Sequence, residues 1–263
     1  MTKGQGALRL ALWQGPSPAG DVDAAFADLA EALAASAAMG ARMLVAPEVF
    51  LPGYNHSDIG ALAQPRGGDW HRRVASMVRD RGCGLTAGYA ERDGRRLFNS
   101  AVTFDATGTE VAHYRKLQLF GPREGAIYTP GDAYTIFDLG GIRTALMICY
   151  DIEFAAHLRA LALEGVRLIL CPTANMEPNG HVARVVVPAH AINHGLTLVY
   201  ANYCGTEGEL TYCGGSVIAG ADGAVLAAAG PGLALLVADV VAPDPRLLQT
   251  QVAEYRAVTR TAG

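Results

Sequence analysis

Two short apolar runs, each broken off at a reactive side chain, constrain this chain more than any other feature. Met43-Leu44-Val45-Ala46 is stopped by Pro47 just before Glu48, because proline cannot donate to a strand ladder. Arg143 to Ile148 likewise reads as a strand, and it ends on Cys149. Each run sits in a β-α-β pattern. In the first, Leu8 to Gln14 reads as a buried strand, and Asp21 caps a helix whose apolar residues Val22, Phe26, Leu29 and Leu33 step by four, three and four before Gly40 ends it. In the second, Phe154 to Leu163 reads as a helix closed by Gly165, and Val166 to Cys171 as a strand stopped by Pro172. Open α/β sheets bind ligands beyond the carboxyl ends of their strands, so a pseudo-repeated α/β fold is expected to carry both reactive residues on one rim.

The remaining segments extend the same alternation. Asp69 to Arg81 reads as a helix with Trp70, Val74, Met77 and Val78 on one face. Strands Leu85 to Ala90, Leu97 to Phe104 and Glu110 to Tyr114 follow, joined by turns at Arg92-Asp93-Gly94 and Asp105-Ala106-Thr107-Gly108. Residues 117–133 carry Gly121, Pro122, Pro130 and Gly131, so Lys116 opens a long loop, and loops of that length are usually functional. A helix near His181 to His194 precedes strands Leu196 to Tyr203, Gly214 to Ile218, Ala224 to Ala227 and Ala234 to Val240. No linker or repeat divides the chain, and residues 1–263 read as one domain.

Composition narrows the partners. Hydrophobic residues at 51% against 17% charged support a large core and exclude disorder. With 21 basic and 25 acidic residues and no Lys/Arg run, the chain lacks a nucleic-acid footprint, which leaves a small molecule as the expected partner. The opening MTKGQGALRL has no secretory apolar core, and no apolar stretch reaches the roughly 18 residues of a membrane span. A cytoplasmic protein without membrane contact is expected. Five cysteines, Cys83, Cys149, Cys171, Cys204 and Cys213, are an odd number without CxxC spacing and do not read as a disulfide framework.

Taken singly, the candidate residues are ambiguous. A strand-to-helix junction exposes Cys149 and aims helix N–H groups at it, yet a lone cysteine there is more often a buried strand residue. Glu48 sits among apolar neighbours that would raise its pKa toward that of a general base, or it faces water at a strand end. Lys116, in Tyr114-Arg115-Lys116-Leu117, would by itself be a solvated surface charge. His190 and His194 are spaced as metal ligands on one helix face, but no third ligand or HExxH pattern is marked, so no metal is expected.

Together the segments are specific. PEVFLPGY, YRKLQLF and ICYDIEF, in this order, resemble the Glu, Lys and Cys motifs of the nitrilase-like carbon–nitrogen hydrolases, and the resemblance runs from Leu8 to about Val240. It implies a four-layer αββα sandwich of two mixed sheets flanked by helices, assembled as a homodimer or larger. It also implies Glu48 as general base, Lys116 as stabiliser of the tetrahedral intermediate and Cys149 as nucleophile, with no cofactor. Glu124 in Phe120-Gly121-Pro122-Arg123-Glu124 resembles the family's second glutamate, which orients substrate and lysine; otherwise it is an exposed loop acid. Tyr54, Tyr150 and Asn175 are the expected substrate-binding residues, and a turn role for Asn175 stays open.

The chain departs from the family pattern in two places. Ala155-Ala156 stands where many members have Pro-Glu, and His190-Ala191-Ile192-Asn193-His194 where many have Arg-Ala-x-Glu-Asn. The second change removes a charged pair and bears on the pocket wall or the subunit interface.

The expected reaction is hydrolysis of a small amide through a thioester. Tyr150-Asp151 after the cysteine resembles the amidase side of the family, whereas nitrile-cleaving members usually carry Trp-Glu. N-carbamoyl substrates and nitriles are the alternatives within the family. A non-catalytic binding member and a papain-like Cys/His protease are the alternatives outside that chemistry.

Overall fold

The computed structural model describes residues 7–241, 246 and 248–258. Strand β1 (Leu8–Gln14) leads into helix α1 (Val22–Ala38), whose first turn is capped by Asp21: its Oδ1 accepts the Ala24 N–H at 2.9 Å. Phe26, Leu29 and Leu33 of α1 are fully buried, each contributing about 1.5–3 kcal/mol of apolar transfer. Strand β2 (Met43–Val45) follows, then a single turn α2 (Ile59–Leu62) and helix α3 (Asp69–Arg81). Strands β3 (Gly84–Asp93), β4 (Arg96–Phe104) and β5 (Glu110–Arg115) form consecutive antiparallel hairpins.

The second half begins with a short helix α4 (Gly121–Ile127) and strands β6 (Ile136–Leu139) and β7 (Ile142–Leu146). A 3-10 turn over Cys149–Glu153 passes into α5 (Ala155–Leu163), then β8 (Leu168–Pro172), α6 (Val187–His194) and β9 (Thr197–Ala201). The two-residue strands β10 (Thr206–Glu207) and β11 (Leu210–Thr211) pair as a small hairpin. Strands β12 (Val217–Ala219), β13 (Val225–Ala228) and β14 (Ala234–Val240) and a last turn α7 (Gln251–Glu254) complete the described elements.

Among the described residues the long strands form two six-stranded mixed sheets, ordered β14-β1-β2-β3-β4-β5 and β13-β12-β9-β8-β7-β6. Each has three parallel strands at its centre, β1-β2-β3 in one and β7-β8-β9 in the other, continued by antiparallel strands. The pseudo-repeat read from the sequence is therefore present, but the chemistry is not repeated with it. Glu48 follows the second parallel strand of its sheet and Cys149 the first of the other.

Three apolar layers hold the sandwich together. One packs α1 and α3 on the first sheet through Phe26, Leu29, Val74 and Val78. A second packs α5 and α6 on the other through Leu158, Leu161 and Val187. Between the sheets, Leu10, Leu12, Met43 and Val45 meet Leu146, Ile148, Leu168 and Leu170. This is the αββα arrangement expected from the motifs.

Three local expectations need correction. Residues 117–133 are not continuous loop, because α4 starts on Gly121 with Pro122 in its first turn, where a missing N–H costs nothing. Strand β6, which the sequence pattern does not mark, pairs antiparallel with β7. The helix near 181–194 opens with a π turn, Val182–Val186, because Pro188 has no N–H to give the carbonyl of Arg184.

Candidate active site

Glu48 owes its position to an unusual turn. β2 ends at Val45, and Val49 adopts φ 44°, a left-handed conformation costly for a β-branched residue. The turn lies hard against β3 at Gly88, where a Cβ would come within 2.2 Å of the Val49 nitrogen and 2.6 Å of the Glu48 Cα. Only glycine permits that approach. The Glu48 N–H donates across the sandwich to the Thr173 carbonyl at 3.3 Å, and the Tyr203 hydroxyl donates to the Glu48 carbonyl at 2.8 Å. The carboxylate is 0% exposed. Its Oε1 accepts from Lys116 Nζ and from Asn99 Nδ2, both at 2.6 Å, whereas Oε2 is buried without a hydrogen-bond partner among the described residues.

Lys116 is the residue after β5, and its N–H donates to the Asn99 carbonyl at 2.9 Å. Asn99 thus fixes the lysine through its backbone and the glutamate through its side chain. Lys116 Nζ also donates to Glu124 Oε1 at 2.8 Å. Glu124, in the first turn of α4, accepts the Tyr54 hydroxyl on the same oxygen at 2.7 Å and the Phe120 N–H on the other at 2.9 Å. It is fully buried, so the exposed-acid reading fails.

Cys149 opens the 3-10 turn at φ 46°, a second left-handed residue at a strand end. In such a turn the N–H groups of Cys149 and Tyr150 have no acceptor within the helix, and that of Cys149 is turned to the buried Cys171 sulfur. The bend is braced by Asp151, whose Oδ2 accepts the Ile148 N–H at 3.1 Å and the Tyr114 hydroxyl at 2.8 Å, and whose Oδ1 accepts the Gln118 N–H at 2.7 Å. Tyr150 stacks edge-on with Phe120 and Phe154 at centroid distances of 5.2 and 4.9 Å.

The electrostatics follow from burying two carboxylates, one ammonium and one thiol together. Burial pushes Glu48 up to about 7 against the pull of Lys116, and Glu124 adds to the rise. Burial alone would lower Lys116, but the charges of Glu48 and Glu124 outweigh it and hold the ammonium well above its usual range. Cys149 keeps some exposed surface, yet it lies deep enough that desolvation, with the Glu48 charge, pushes its thiol up while Lys116 opposes. The resting site therefore holds a thiol beside a carboxyl poised near neutrality.

The structure brings Glu48, Lys116 and Glu124 into one hydrogen-bonded cluster, with Cys149 beside it in its field. Tyr54 joins it through Glu124. The Asn175 amide instead donates to the Asn179 carbonyl at 3.0 Å, the turn role left open above. Sequence reasoning missed Asn99, Asp151 and Tyr203. The usable signal was polar Asn99-Ser100 inside the apolar β4. His190 and His194 pack ring to ring at 5.4 Å, and no group of three metal-ligating side chains is found among the described residues. All five cysteines are free.

A sandwich of this topology, with an acid, a lysine and a cysteine just beyond strand ends of its two sheets, is that of a thiol hydrolase of the nitrilase type. The chain belongs to the carbon–nitrogen hydrolase family, whose profile matches residues 9–246. It is an amidase-type member of the nitrilase superfamily. A protein named hydrolase in pqqF 5'region, from Pseudomonas protegens, is 40% identical over 235 residues, covering 88% of this chain and 81% of that one. An (R)-stereoselective amidase from Pseudomonas sp. is 34% identical over 72% of this chain and 69% of its own length. The crystal structure of an amidase from Nesterenkonia sp. superposes with a TM-score of 0.86 at 35% identity, covering 90% of this chain and 91% of that one. Mutants of that amidase have been solved with acrylamide added at the active-site cysteine and with butyramide bound.

Proposed function

We propose that this chain, acting as one catalytic domain, hydrolyses a small primary amide to a carboxylic acid and ammonia through a thioester on Cys149. The observation that carries the reading is the asymmetric Glu48 carboxylate. One oxygen is held by Lys116 and Asn99, and the other is buried without a partner among the described residues, in a group poised near pH 7 beside a thiol. Such an oxygen is free to take a proton. Glu48 accepts the Cys149 proton as sulfur attacks the amide carbonyl, Lys116 and the Tyr150 N–H stabilise the oxyanion, and Glu48 delivers the proton to nitrogen as ammonia leaves. Water then attacks the thioester, Glu48 taking its proton and returning it to sulfur. Glu124 and Tyr54 keep Lys116 aimed. Tyr54 and Tyr150 are assigned to the pocket wall around the substrate, with Asn175 shaping it through the turn that its amide braces.

The adducts at the active-site cysteine of the Nesterenkonia amidase support the nucleophile assignment. A homodimer or larger assembly and a cytoplasmic setting belong to the same reading, supported by the family resemblance and by five free cysteines in a chain of this size. No helix among the described residues is long and apolar enough to cross a membrane.

The test is interception of the acyl group. Hydroxylamine added during turnover of a primary amide should yield a hydroxamate, and an amide and an ester of one acid should give the same hydroxamate-to-acid ratio. Quenched enzyme should carry the acyl mass on the Cys149 peptide alone, and Cys149→Ala should release no ammonia from a panel of primary amides, N-carbamoyl compounds and nitriles. Ammonia release by Cys149→Ala near the wild-type rate would remove the nucleophile and the reading with it.

A further inference from the structure

Asp151 is fully buried and lies between the two segments that the proposed mechanism must hold in register. Its three donors come from opposite sides of the site. Tyr114 and Gln118 flank Lys116 by two residues on either side, and Ile148 immediately precedes Cys149. The segment bearing Lys116 comes off the first sheet and that bearing Cys149 off the second, so one carboxylate is shared by both. It accepts the Ile148 N–H just before the left-handed Cys149, a conformation that persists only where surrounding bonds over-determine it. A carboxylate is the only side chain that can take all three, because it has two acceptor oxygens and no donor. An asparagine would turn an N–H toward a donor on whichever side its nitrogen lay.

We infer that Asp151 is a positioning residue of the reaction, its carboxylate setting the distance between the Lys116 ammonium and the Cys149 sulfur by clamping the backbone on both sides. The inference rests on the assignment of Cys149 and Lys116 above. Its effect is expected on the chemical step, since a small misplacement of reacting groups lowers kcat far more than it weakens substrate binding.

Asp151→Asn separates positioning from general support of the fold. Measured on folded enzyme, kcat for a primary amide should fall about 100-fold with KM changed less than threefold, and alkylation of Cys149 by iodoacetamide should shift its pH profile. Tyr114→Phe removes one of the three bonds and keeps the ring, so it should lower kcat severalfold. In the double variant the two effects should fail to add, because they act through one carboxylate. If Asp151→Asn does not fold, Tyr114→Phe and the alkylation profile decide alone. Near wild-type kcat and an unshifted profile, in whichever variants fold, would overturn the inference while Cys149→Ala remained inactive. Activity in Cys149→Ala would instead overturn the mechanism on which it rests.

Discussion

Glu48→Gln separates what the buried carboxylate does for catalysis from what it costs the fold. The glutamine Oε1 can keep both donors that Glu48 Oε1 now accepts, and its Nε2 falls where the unpartnered Oε2 lies, so the packing should survive. Turnover should fall at least about 100-fold, the contribution typical of a general base. Stability should move the other way. The carboxyl titrates near 7 in the folded protein against an ordinary 4.5, so the folded state binds its proton more tightly. Its stabilising contribution is complete below about 4.5 and is lost as the pH rises through about 7. At about 1.4 kcal/mol per unit, this shift withdraws about 3 kcal/mol by pH 8. Urea unfolding at pH 5 and pH 8 should show that decline in wild type, and Glu48→Gln should flatten it. If Glu48 acts as the proposed base it does so ionised, and wild-type kcat/KM at pH 6 should be about a tenth of its plateau, as a property of the coupled cluster. A glutamine variant with near wild-type ammonia release, or one less stable than wild type at pH 8, would refute this account of Glu48.

Lys116→Ala should lower kcat by at least about 100-fold and also destabilise the fold, by about 3–5 kcal/mol, since Glu48 and Glu124 would be left buried without their cation; calorimetry and an ammonia assay check the two halves. Gly88→Ala should displace the Glu48 turn through a Cβ placed 2.2 Å from the Val49 nitrogen, lowering kcat more than it raises KM in steady-state assays. Exhaustive treatment with a chelator should leave ammonia release unchanged, and loss restored by zinc would bring back a metal at His190 and His194.

Much of the architecture is legible because periodicity and punctuation coincide. α1 and α3 have apolar faces at helical spacing, and Asp21, Gly40 and Gly82 mark their ends. Glu48 and Cys149 are legible because a strand that stops on a reactive side chain has few structural reasons to do so. α4 was hidden because seven residues are too short for periodicity, and Gly121-Pro122 reads as a loop until proline's tolerance of a first helical turn is weighed. β6, with four residues of mixed burial before Gly140-Gly141, carries no clear apolar alternation. Asn99 and Asp151 were missed for another reason. Their importance lies in partners 51 and 33 residues away, and no local pattern encodes that separation.

The proposed base and nucleophile follow strands of different sheets, and the bond from the Glu48 N–H to the Thr173 carbonyl crosses the seam between them. A slip of about 1 Å along that seam would leave every ladder within each sheet intact, yet it would carry sulfur and carboxylate past each other by the full amount, enough to cost orders of magnitude in rate. The apolar layer of Leu10, Leu12, Leu168 and Leu170 is thus the mechanical mount of the catalyst as well as its core. Two substitutions of equal thermodynamic cost, one in this seam and one beneath the outer helices, would leave proteins of equal stability and unequal activity. Catalytic rate in this architecture acts as a strain gauge for the middle of the sandwich.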